Sequence, residues 1–81
     1  PSNSTFVINY SLLEKTFVSI SVFDVLGRKV IDLASFNKSK GVHQIAWNGR
    51  DSSNNPSAPG VYIVRVKAGK NQINKKIVLL K

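Results

Sequence analysis

The chain has 81 residues, no cysteine, 42% hydrophobic and 20% charged residues, and a net charge of +8 from twelve basic and four acidic side chains. That length allows one domain, which hides only about 60–65% of its unfolded surface, so a deep catalytic cleft is excluded with the second domain. Disulfide frameworks, thiolate metal sites and intrinsic disorder are excluded as well, and no apolar run reaches the roughly 18 residues a spanning helix needs.

Apolar residues recur with a period of two, the signature of half-buried strands. Segment 5–12 puts Phe6, Ile8, Tyr10 and Leu12 on one face. Segment 16–25 turns Val18, Ile20 and Val22 inward and Ser19 and Ser21 outward. Segment 28–34 offers Val30 and Leu33 to the core. Between these two, Leu26-Gly27 after Asp24 predicts a tight reversal with Gly27 at positive φ. A polar loop, FNKSK, follows and ends at Gly41. Segment 42–48 places His43, Ile45 and Trp47 on one side. The stretch 49–60, GRDSSNNPSAPG, has loop composition, and Pro56 and Pro59 forbid a central strand there. Segment 61–68 separates Tyr62, Val64 and Val66 from Val61, Ile63, Arg65 and Lys67. A hairpin connection at Ala68-Gly69-Lys70-Asn71 leads to segment 72–80, with Ile73, Ile77 and Leu79 on one face. Short strands separated by turn signals predict an all-β fold: an immunoglobulin-like or fibronectin-III-like antiparallel sandwich of about seven strands.

Catalytic constellations are missing. Glu14, Asp24, Asp32 and Asp51 form no pair along one strand face, so acid–base glycoside chemistry has no partners. His43 is the single histidine and reads as a strand residue, because a metal site needs several ligands. Asp51 with Ser52, Ser53, Asn54 and Asn55 offers oxygen ligands, but calcium wants several carboxylates and this loop has one. The residues fit an Asx-type turn better. No metal and no cofactor is expected. The sequons at Asn3-Ser4-Thr5 and Asn37-Lys38-Ser39 carry no weight, because the pattern is frequent by chance. Trp47, Tyr62 and Tyr10 admit a sugar-stacking reading. Strict alternation of Trp47 with Ile45 favours the core, and Tyr62 favours a tyrosine corner. The basic residues are scattered, which argues against nucleic acid and leaves acidic partners of other kinds open.

Three ordered blocks carry a resemblance: FDVLGRKV at 23–30, GVHQIAWNGRDSSNNPSAPGVYIVRV at 41–66 and KKIVLLK at 75–81. Together they resemble the type A C-terminal sorting domain of type IX secretion cargo, also called the Por secretion system sorting domain. PSNSTFVINYSL fits that family's first strand. The resemblance extends in fold to the Ig-like domain of the flagellar hook-capping protein. One departure is Asn48-Gly49, where the family often has Asp-Gly; Asn also tolerates positive φ, so the turn survives.

The resemblance implies a non-catalytic domain, residues 1–81, cut from a larger secreted protein of a Gram-negative bacterium. It implies that an outer-membrane translocon reads the domain and that a sortase-like peptidase then acts upstream of it, leaving the cargo on the cell surface. It assigns recognition to Gly60, Tyr62, Lys75, Lys76, Ile77, Val78, Leu79, Leu80 and Lys81. Turn and core roles fall to Gly27, Gly41, Trp47 and Gly49. An address at the terminal strand is readable by strand addition to a free edge. The alternative is an accessory carbohydrate-binding module of a polysaccharide hydrolase, with weak polysaccharide contact, or a structural spacer.

Overall fold

The computed structural model describes residues 5–80 and consists of six strands: β1 (Phe6–Leu12), β2 (Thr16–Asp24), β3 (Lys29–Lys38), β4 (Gly41–Trp47), β5 (Gly60–Ala68) and β6 (Asn71–Leu79). They form two antiparallel sheets, β1-β4 and β3-β2-β5-β6. The all-β sandwich expectation holds, with six strands among the described residues instead of about seven.

The core lies between the sheets. Val18, Ile20 and Val22 of β2 and Val64 and Val66 of β5 meet Ile8, Tyr10 and Leu12 of β1 and Trp47 of β4. β2 and β5 are the central strands of the larger sheet, so their inward residues have neighbours on all sides and four of the five are fully buried. Each such Val or Ile contributes about 1.5–3 kcal/mol of transfer free energy. Tyr62 and Leu79 extend the core to the end where Trp47 sits.

β3 departs most from expectation. The polar FNKSK segment does not open a loop at Phe36; β3 continues through Lys38, because Phe36, Asn37 and Lys38 find register partners in Val18, Phe17 and Thr16. The connection to β4 shrinks to Ser39 and Lys40. The run Val30-Ile31-Asp32-Leu33-Ala34 does not alternate, and the reason is visible in the pairing. Register shifts occur between Ile20 and Ser21 and between Val22 and Phe23, each adding a residue on β3. These bulges let Val30, Ile31 and Leu33 all pack against the core. They also blunt the β3 edge.

Turn expectations fare better. Gly69-Lys70 is a two-residue hairpin loop closed by the Ala68–Asn71 pair. Gly27 has φ of +84°, and its amide donates to the Asp24 carbonyl at 3.0 Å. Ser21 points outward as expected but is only 7% exposed, because its hydroxyl donates to Asp32 Oδ1 at 2.6 Å.

Candidate functional site

Most of the residues singled out above gather at one end of the sandwich. There Trp47 is fully buried, its indole Nε1 donating to the Arg50 carbonyl at 2.9 Å. Its ring meets Tyr62 edge-on, centroids 5.3 Å apart, and Phe6 at 5.9 Å. The Tyr62 hydroxyl donates to the Ala58 carbonyl at 2.5 Å, the tyrosine corner the sequence suggests. Trp47, Tyr62 and Tyr10 are all buried, so none presents a flat face to a sugar. Gly60 opens β5 opposite Leu79 with φ of +150°, which L side chains rarely adopt. That conformation turns the chain out of the 48–59 loop into the strand.

The loop is built by Asp51. Its Oδ1 accepts from the amides of Ser53 at 2.9 Å and Asn55 at 3.0 Å, and its carbonyl accepts from Asn54. Asp51 therefore makes the Asx-type turn, with the Asn55 amide as one of the groups held. No cluster of three acidic, His or Cys side chains suited to a metal occurs among the described residues. His43 lines up with Tyr10 and hydrogen-bonds the Ser39 carbonyl through Nε2 at 2.7 Å, a structural contact.

The terminal block is split by strand alternation. Opposite Val64, Tyr62 and Gly60, the residues Lys75, Ile77 and Leu79 lie on the inner side of β6, where Leu79 is buried, Ile77 half-buried and Lys75 exposed. Lys76 and Val78, opposite Ile63 and Val61, face outward. Lys75 is thus not on the outer face, as a solvated pair of lysines would have it. It lies over the gap between the sheets and donates from Nζ to the Asn9 carbonyl of β1 at 2.8 Å. Leu80, just past β6, is 74% exposed. Lys81 and Pro1–Ser4 lie outside the described residues, as does most of the first sequon. Of the turn glycines, Gly41 begins β4 and Gly49 is buried beside the Trp47 corner.

Sequence reasoning passed over a surface next to this tail. The outer face of β5 is apolar in its first half, where Val61 and Ile63 sit beside Val78 and Phe23 on the outer side of the larger sheet. The signal was present in the alternation itself, since Val61 and Ile63 share a face with Arg65 and Lys67.

Two carboxylates are held below their ordinary range. Asp24 is lowered first by the Arg28 amide, at 2.9 Å from Oδ1, then by the Arg28 side chain and the Leu26 amide. Asp32 is lowered by the Ser21 hydroxyl and next by Lys29, 3.1 Å away. A carboxylate whose folded pKa lies below its unfolded value of about 3.9 stabilises the fold fully above that value. The contribution is lost as pH falls through the lowered folded value. Thermal unfolding temperature is expected to be level near neutrality and to drop below about pH 4. Asp24→Asn should make that drop shallower; an unchanged acid slope would show that the turn carboxylate is not linked to folding.

A family model described as secretion system C-terminal sorting domain matches residues 1–80. The chain belongs to that family. Membership makes it a sorting domain of the type IX secretion route, carried by an exported protein. Among solved structures, FlgD from P. aeruginosa matches with a TM-score of 0.69 and 24% identity, over 94% of the sorting domain and 60% of the FlgD chain. At that identity the likeness shows the fold alone, and the sorting domain spans less than two thirds of the FlgD chain. No curated protein sequence matches it.

Proposed function

We propose that this chain is the non-catalytic handle by which a larger protein is taken from the periplasm through the outer-membrane type IX translocon to the cell surface. The cargo is covalently upstream, and a sortase-like peptidase separates it from the handle after passage. The reading is carried by one observation. In a chain of the sorting family, the outward half of the terminal strand lies exposed on an intact sandwich. Lys76, Val78 and Leu80 are the residues that offer an address. Ile77 and Leu79 hold that strand in place, and Lys75 reaches across to the Asn9 carbonyl of β1 beside them. Gly60 and Tyr62 act through the corner that sets the start of β5, the strand on which β6 is aligned. A sandwich whose last strand is a free sheet edge is stable and readable at once.

The test follows from that split. Deleting residues 75–81 removes interior contacts and confounds address with fold. Deleting residues 80–81 leaves β6 whole. In a host with the secretion system, a reporter fused ahead of the domain should lose surface display on this short deletion, while the purified domain melts as the parent does. Unchanged display would overturn the proposal.

A further inference from the structure

We infer that the domain carries a second recognition element: the outer face of the larger sheet around Arg65, which docks an acidic, apolar-centred protein surface. The inference rests on the sorting reading and deepens it.

The outer face of a small sandwich is normally polar. Here Phe23, Ile63, Val61 and Val78 adjoin across β2, β5 and β6, with Val61 and Val78 36% and 47% exposed. In the row through Phe23 and Ile63, lysines close both ends, Lys29 on β3 and Lys76 on β6. Arg65 and Lys67 continue the positive face along β5. Among the described residues the acid on this face is Asp32, and it is already engaged by Ser21 and Lys29. The surface is therefore apolar in the middle and cationic around it. That is the complement of a partner with carboxylates around an apolar centre.

Arg65 is the best-placed anchor. Its guanidinium lies 4.6 Å from the centroid of the Phe23 ring, and its Nε donates to Asn74 Oδ1 at 3.2 Å. Stacking and that bond fix the plane of the group. The hydrogen bonds found among the described residues use only Nε, which leaves the terminal nitrogens for a carboxylate. A guanidinium held flat on a pleated face suits another protein surface. A bilayer is more readily entered by protruding loops and by long side chains that snorkel. The patch is also continuous with the tail through Lys76 and Val78, so one partner can touch both.

Arg65→Glu and Phe23→Ser each alter this face without touching the tail. The reporter fusion carrying either one is expected to show at least about a tenfold loss of surface display, the size of one lost charge-assisted contact. The purified variants should remain folded by circular dichroism. If both variants display normally while deletion of residues 80–81 abolishes display, the inference falls and the sorting reading stands. If the deletion also displays normally, both fall. Vesicles of phosphatidylglycerol and phosphatidylethanolamine give a further arm. Sedimentation of the parent domain with them, lost in Arg65→Glu, would make the occupant a membrane and overturn a protein partner.

Discussion

Trp47→Ala is expected to cost about 3–5 kcal/mol, the range for truncating a large buried aromatic. The indole is fully buried, touches Phe6 and Tyr62, and satisfies the Arg50 carbonyl. A domain of this size has roughly 4–12 kcal/mol of stability in total, from about 0.05–0.15 kcal/mol per residue. The variant should therefore melt at least about 12 °C lower, at roughly 4–8 °C per kcal/mol. Trp47→Phe restores most of the ring volume but leaves the Arg50 carbonyl without its donor, and should fall between the two. Thermal melts followed by circular dichroism decide the matter. A drop under about 5 °C for Trp47→Ala would show that the aromatic corner is not what closes this end of the sandwich.

Much of the fold was legible because the determining residues act locally. In β1, β4 and β5, one face is consistently more buried than the other, so a period of two identifies each strand and its inward side. Asp24, Gly27 and Arg28 specify their own turn: the carboxylate takes the Leu26 and Arg28 amides and the glycine supplies the positive φ. Asp51 does the same for the long loop. β3 was legible only in part: a strand at 28–34 with Val30 and Leu33 toward the core could be read, but its bulges are a property of pairing with β2. Nothing in Val30-Ile31-Asp32-Leu33-Ala34 states which residues will be extra. Phe36-Asn37-Lys38 has turn-like composition, yet it continues the strand because β2 presents partners opposite it. The candidate site divides the same way. The terminal block is visible as a basic and apolar run. The inward turn of Lys75 depends on the β5–β6 register, and its use for Asn9 depends on where the other sheet lies.

Lys75→Val should raise self-association above the parent's while leaving the melting temperature close to the parent's. Among the described residues the larger sheet has two unpaired edges, β3 and β6, and they are not equivalent. β3 is bulged twice, which spoils it as a template. β6 pairs with β5 without interruption from Asn71 to Leu79, so its other side offers a regular ladder of unpaired groups. An inward-pointing charge on an edge strand is a known obstacle to pairing of this kind. Lys75 supplies it, between Ile73 and Ile77 on the inner side. A second copy docking there would have to bury that ammonium or place two of them together. Valine removes the obstacle and suits both strand geometry and the apolar neighbours. It also loses the bond to the Asn9 carbonyl, an exposed contact whose loss should nearly cancel the gain, leaving stability within about 1 kcal/mol. Association should then rise without a change in fold, and Lys75→Arg should associate no more than the parent. Sedimentation velocity over a range of concentrations separates the outcomes. A strictly monomeric Lys75→Val would mean that the edge is guarded by its twist or by Lys76, not by the inward lysine.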